Sequence, residues 1–193
     1  MDFDEVLKER HCTRKFIKKD VGFQKISSII GAAALAPSAG NISTVRIIVV
    51  NDPKLKEKLA EAALNQQFVS EAPYVLVVCS DTEQVVRSYG KRGEMYSAQQ
   101  AGAAIENMFL KATELGLDIC WIGAFDEGTV KRVVHIPVDI KVEALLPIGI
   151  GEEKKIKKHV ERKKIDIKHI TFFNGYGLEA KSTKEWKDKK FEV

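Results

Sequence analysis

Taken as pattern alone, the chain predicts a mixed helix-and-strand domain of the α/β kind. Two observations carry this. Three short runs rich in β-branched residues, VRIIVV at 45–50, YVLVVC at 74–79 and ALLPIGI at 144–150, alternate with amphipathic helices. That order by itself suggests a parallel sheet. The second observation is a long helix in residues 96–115, where Ala98, Ala101, Ile105, Met108, Ala112 and Leu115 recur at steps of three and four. The chain has 193 residues, long for one domain and short for two, so one domain with a substantial core is expected.

In chain order, residues 2–10 form a short helix with Phe3, Val6 and Leu7 on one side, followed by the basic loop HCTRKFIKKD. A second helix is expected over 23–36, striped by Ile26, Ile29, Ile30, Ala33 and Ala34 and ended by Pro37. Residues 38–44 are a polar loop containing Gly40, and 45–50 a buried strand. Asp52 is placed to cap the next helix, with Pro53 in its first turn and an end near Leu64. After the strand at 74–79 comes the long helix, with a run of small residues at 101–104 and Gly116 just past its end. Ile119, Cys120, Trp121 and Ile122 read as a short buried strand or extended turn closed by Gly123, and a short helix follows near 127–134. Pro147 inside the last strand predicts an edge position or a bulge.

Composition narrows the class. The net charge is +4 and comes largely from residues 154–168 and 181–190, so it says little about the whole surface. No apolar run is long enough to cross a bilayer, and the charged, helical opening MDFDEVLKER argues against a signal peptide. Cys12, Cys79 and Cys120 are odd in number and far apart, which points to a reducing, cytoplasmic setting. The phosphate-loop, dinucleotide, zinc-protease and nucleophile-elbow motifs are all absent. The histidines and cysteines lack zinc spacing, so no metal is expected. With no base–nucleophile arrangement, a hydrolase is disfavoured; a cofactor-driven oxidoreductase needs none.

Residues 10–14, Arg-His-Cys-Thr-Arg, offer hydrogen-bond donors and two permanent cations, suited to a phosphate and a polar ring edge. Taken alone, they read better as a solvated basic loop, and Pro37-Ser38-Ala39-Gly40-Asn41 alone reads better as a helix stop and turn. Together and in order, these segments resemble the FMN-dependent nitroreductase family. Its Arg-Arg/His-Ser-x-Arg/Lys-x-Phe loop is matched by Arg10, His11, Cys12, Arg14 and Phe16, and its Ala-Pro-Ser-x-x-Asn loop by Ala36, Pro37, Ser38 and Asn41. Ala72-Pro73, Gly116-Leu117, Gly123-Ala124-Phe125, the stretch from Pro147 to Gly151, and Arg162 follow in the family's order. The set spans roughly residues 2–177.

The resemblance implies an α+β fold: a three-layer α/β/α sandwich with a mainly antiparallel central sheet, in a homodimer whose tails exchange. This is preferred here over the parallel sheet. It implies one FMN-binding domain at 1–177 and a charged tail at 178–193. FMN would lie at the subunit interface, with NADH or NADPH as electron donor and a small-molecule acceptor. Arg10, His11, Cys12 and Arg14 would hold the phosphate and the pyrimidine edge, with Arg162 also reaching the phosphate. Pro37, Ser38, Ala39 and Asn41 of the other subunit would pack on the ring. Asn65 or Gln66 would contribute an amide, and backbone at Gly123 and Ala124 would face flavin N5. No side chain is assigned a catalytic role. Cys12 stands where serine is usual, and Gly123 where glutamate is common. Two weaker readings are a flavin-binding or regulatory protein with little turnover, and nucleic-acid binding through residues 154–168.

Overall fold

The computed structural model describes residues 1–152, 165 and 169–177. Arg162, the tail at 178–193 and nearly all of the basic stretch at 154–168 lie outside the described residues. The chain divides into two compact units, Met1–Lys154 and Lys155–Val193. In the second unit the rings of Phe172 and Tyr176 lie 4.8 Å apart, centroid to centroid.

The first unit runs α1 (Phe3–Glu9), β1 (Phe16–Ile17), α2 (Phe23–Ala34), β2 (Val45–Val50), α3 (Pro53–Ala62), α4 (Phe68–Glu71), β3 (Tyr74–Ser80), α5 (Glu83–Tyr89), α6 (Arg92–Glu114), β4 (Asp118–Ile119), α7 (Glu127–Val133) and β5 (Lys141–Gly151). Local chemistry sets most boundaries. Asp2 and Glu5 form a reciprocal capping box at α1. Asp52 accepts from Leu55 N at α3, with Pro53 in the first turn. Asp126 accepts from Thr129 N at α7. Gly116 is left-handed (φ 70), and Leu117 N donates to Ala112 O while Gly116 N donates to Thr113 O, the paired bonds that close a helix on a glycine.

The sheet order is β1-β5-β3-β2, with β4 also on β5. The pairings between these five strands are all antiparallel. The α+β sandwich is therefore the architecture, and the parallel sheet suggested by element alternation is not. Alternation reports element order; strand direction depends on pairings across tens of residues. Two apolar clusters cover the two faces of the sheet. Leu76, Val78, Ala144, Leu146 and Ile148 pack with α2 and α6. Val75, Val77, Cys79, Val142 and Leu145 pack with α3, α4 and α7. Val78 pairs with Ala144 but Cys79 with Val142, so Glu143 is an extra residue. That bulge sends Val142 to the opposite face from Ala144.

Several expectations are corrected. The 45–50 strand is an edge, half-buried along most of its length rather than fully buried. Pro147 sits inside a central strand, paired with Val75. A residue in an antiparallel ladder points its N–H and C=O to the same neighbour. Pro147 O accepts from Cys120 N at 3.2 Å, so the missing N–H falls on the interrupted β4 side and costs no bond to β3. The long helix starts at Arg92, and Ala98 is exposed; Ser97 and Gln100 are buried in its place. Gly93 rotates this end of the helix inward, because a Cβ there would lie 2.7 Å from Val85 O and Val86 Cα of α5. Ala34 is exposed, since α2 ends there. The short elements β1, α4 and α5 had no sequence expectation, each being too short to carry a period.

Lys56 is buried, and its Nζ donates to Ala72 O at 2.6 Å and to Pro73 O at 3.5 Å. It joins α3 to the start of β3. Burial lowers its pKa, with Asp52 opposing. Lys56→Ala is expected to lose about 1.5–3 kcal/mol in urea unfolding, the usual worth of a charged hydrogen bond. A loss below about 0.5 kcal/mol would mean that desolvation of the ammonium already offsets its bonds.

Candidate functional site

Segments far apart in sequence are stitched into one edge of the sheet. Cys12 forms a parallel bridge with Ile119, and Thr13 N donates to Ile119 O at 3.1 Å. Residues 10–14 therefore lie along β4. Beyond β4 the chain passes Gly123 and Ala124, and Asp126 N donates to Ala62 O at 2.8 Å. That bond brings this loop to the end of α3, where Asn65 is left-handed (φ 61) and Gln66 Nε2 is tied to Ala63 O at 2.8 Å. Arg10, His11, Cys12, Arg14, Asn65, Gln66, Gly123 and Ala124 are thus carried on one continuous set of loops.

The side chains of the first loop are individually held. The Arg10 guanidinium lies 5.6 Å above the Phe109 ring, with Nε 3.6 Å from Glu106. His11 Nδ1 is 2.7 Å from Glu9 O; a carbonyl only accepts, so Nδ1 carries its proton. His11 Nε2 is 3.3 Å from Asp118 Oδ1, and the other oxygen of that buried carboxylate accepts from Gly151 N at 2.7 Å. Cys12 is exposed, and its pKa is lowered to about 5 by a hydrogen bond from the Cys120 thiol, then by Trp121 N–H and by Arg10 and Arg14, with burial opposing.

The second loop is held elsewhere on α6. Residues 39–41 form a single 3-10 turn, with Gly40 and Asn41 both left-handed. Gly40 lies against Tyr89, whose hydroxyl would be 2.3 Å from an added Cβ. At the loop's end, Thr44 N and Oγ1 each reach Gln100 Oε1 at 3.3 Å. The two loops therefore anchor at Gln100 and Glu106, six residues apart and ~9 Å along the helix axis. Pro37, Ser38, Ala39 and Asn41 are held by bonds and contacts separate from those that hold Arg10.

The donor chemistry suits a planar ligand carrying a phosphate. Arg10 and Arg14 supply cations, Thr13 Oγ1 is buried with no protein partner among the described residues, and a Cβ on Gly123 would meet nothing within 4 Å. Bare backbone there lets a flat ring approach closely. Trp121 is 42% exposed and its ring centroid lies 6.3 Å from that of Phe109, giving the edge an aromatic flank.

The model of the Nitroreductase family matches residues 7–85 and 62–150. The chain belongs to the nitroreductase family. Among its relatives is an NADH dehydrogenase of Thermus thermophilus, 30% identical over 179 residues, covering 78% of this chain and 87% of that protein. A nitroreductase family protein of Clostridium novyi superposes with a TM-score of 0.73 at 29% identity, covering 93% and 97%. An NADPH:FMN oxidoreductase of Vibrio harveyi, in complex with NAD+, shares the fold at TM-score 0.78 and 23% identity, covering 90% and 77%. The family is one of oxidoreductases, and this nitroreductase-family chain is read as one. Among the described residues, no helix is long and apolar enough to cross a membrane.

The site includes residues that sequence patterns did not single out. Asp118, Phe109, Cys120 and Gln100 position the loops. Asp118 carried a signal, a lone carboxylate within an apolar run. Gly149 and Gly151, too sparse for a dinucleotide motif, are close-approach positions: added Cβ atoms would lie 2.6 Å from Pro73 Cδ and 2.9 Å from Thr13 Cγ2 respectively. At Gly151 the Asp118 carboxylate would also be 3.1 Å away. Gly151→Ala is therefore expected to shift Asp118 and loosen the first loop, at about 1–3 kcal/mol. Thermal or urea unfolding measures this, and an unchanged stability would show that the loop yields freely.

Proposed function

We propose that this chain is an FMN-dependent NAD(P)H oxidoreductase reducing a small aromatic, quinone or nitro acceptor. The observation that carries the reading is the joined edge on which Arg10, Cys12 and Arg14 meet the backbone of 119–124. When bound, FMN would supply the hydride acceptance and release that no side chain here provides.

The chain's own groups bind and position. Arg10 would hold the phosphate by charge-assisted bonds, the role the family resemblance also gives to Arg162, which lies outside the described residues. Arg14 would hold the polar edge of the ring and supply a cation there, which favours negative charge by Coulomb attraction. His11, fixed by Glu9 and Asp118, lines the same edge. Asn65 or Gln66 supplies an amide, and the open backbone at Gly123 and Ala124 faces the reactive side of the ring. Pro37, Ser38, Ala39 and Asn41 reach the ring from a second copy of the chain. The outer face of α6 supports such a dimer: Met95 and Ala98 are exposed and Gly102 is small, so another helix can approach closely. The flavin-binding domain is taken as residues 1–177, with 178–193 a charged tail.

The decisive experiment is spectroscopic. A yellow preparation releasing FMN on denaturation, and consuming NADH or NADPH with a quinone or nitroaromatic, is the expected outcome. Donor and acceptor share one face, so double-reciprocal plots should be parallel; intersecting lines would exclude alternate occupancy. Bound FMN without NAD(P)H consumption would instead identify a flavin-storing or regulatory protein. A colourless protein that takes up no FMN would overturn the reading. Deleting the chain after Arg162 is expected to reduce dimer and bound FMN together, measured by light scattering and flavin absorbance.

A further inference from the structure

The edge described above contains two thiols that the proposed reaction does not use. Cys12 is exposed and Cys120 is buried. Their proximity comes from backbone pairing. Cys12 bridges Ile119, the residue before Cys120, and the Thr13 N to Ile119 O bond at 3.1 Å closes that pairing. On the other side, Cys120 is pinned to β5 through Pro147 O at 3.2 Å. The bridge therefore sets Cys12 beside the segment that carries Cys120, one position out of register, and each thiol shifts the pKa of the other, with Trp121 N–H also acting on Cys12.

The surroundings divide the pair into unlike partners. Two donors and the cations Arg10 and Arg14 favour thiolate at Cys12 and hold it at about 5. The bond to Cys12 and then burial push Cys120 up, so it remains a thiol at neutral pH. A surface thiolate backed by a buried thiol is the arrangement of a reactive cysteine with its resolving partner. Cys79 is a built-in comparison. It is buried, burial pushes its pKa to about 11, and its partner on β5 is Val142, five residues and ~17 Å from Pro147 along that strand.

We propose that Cys12 and Cys120 form a redox couple that reacts with peroxides and small disulfides and, once oxidised, locks the first loop to the segment after β4. With a peroxide, the Cys12 thiolate attacks one oxygen, the O–O bond breaks, and Cys12 becomes a sulfenic acid as an alcohol or water departs. The Cys120 sulfur then attacks the Cys12 sulfur, giving up its proton, and water leaves as the disulfide forms. The sum is two thiols and one peroxide to one disulfide, one alcohol (or water) and one water. With a small disulfide, two exchange steps give the protein disulfide and two free thiols. The link would hold Arg10 and Arg14 against Trp121. An effect of this lock on FMN binding would rest on the functional reading above; the couple itself does not.

The test uses the full chain, reduced, with hydrogen peroxide and separately with oxidised glutathione. Intact mass is expected to fall by about 2 Da, with a single Cys12–Cys120 peptide after non-reducing digestion. Cys120→Ala is expected to stop at a sulfenic acid or a glutathione adduct on Cys12, and Cys12→Ser to resist oxidation. Iodoacetamide should modify Cys12 of the native chain roughly ten-fold faster than Cys12 of the urea-unfolded chain at pH 6, with the rate level above that pH and halved near pH 5, since the thiolate is the nucleophile. Disulfides between chains, oxidation at Cys79, or a Cys120→Ala chain oxidising like the original would each overturn the proposal. So would a wild-type chain inert to both oxidants, a result that needs no variant to fold. All readouts are masses, so a chain that forms the disulfide but binds no FMN would refute the functional reading alone.

Discussion

Replacing Phe109 by alanine is expected to destabilise the chain by about 3–5 kcal/mol and to disorder the first loop with it. Among the described residues Phe109 is the largest fully buried side chain, and it lies in the cluster between the sheet and α2–α6. Its ring also supports the site from below: the Arg10 guanidinium sits 5.6 Å above it and Trp121 6.3 Å to its side. Truncation removes burial, opens a cavity and leaves both neighbours without their platform. Against a typical total of about 5–15 kcal/mol, that is a large share. Phe109→Leu keeps most of the volume and should cost under half as much. Urea unfolding of both variants, followed by far-ultraviolet circular dichroism, checks this. A loss below about 1 kcal/mol in the alanine variant would show that the cluster closes around the gap.

Arg10→Ala is expected to weaken FMN binding ten-fold or more, since losing one charged phosphate partner costs about 1.5–3 kcal/mol. Riboflavin, which lacks the phosphate, should bind the variant and the original chain alike. The geometry adds a control. Glu106 lies 3.6 Å from Arg10 Nε and competes for the same cation, so Glu106→Gln should leave FMN affinity unchanged or raise it. Arg162→Ala should act in the direction of Arg10→Ala if both reach one phosphate. Titration of apoprotein with the two ligands decides the matter: equal losses for FMN and riboflavin would place Arg10 away from the phosphate.

What could be read before any coordinates were those features whose causes lie within a few residues. Asp52 and Gly116 mark helix ends because a cap or a left-handed turn is completed by atoms three to five positions away. The strands at 45–50 and 74–79 show as local runs of β-branched residues, and the long helix shows its period locally. The ordered loops at 10–16 and 36–41 were legible as a family resemblance. Other features depend on partners distant in the chain, and only the tertiary structure decided them. Strand direction rests on pairings such as Val75 with Pro147. Pro147 is tolerated centrally because Cys120, not β3, faces its missing donor. Ala98 turns outward because Gly93 lets α5 cross closely. Gly151 matters because Asp118 and Thr13 close over it. Cys12 and Cys120 are 108 residues apart in sequence and meet only because β4 returns beside the first loop. Local propensity has no term for such encounters; they arise when burial of two apolar clusters selects one packing of the whole chain.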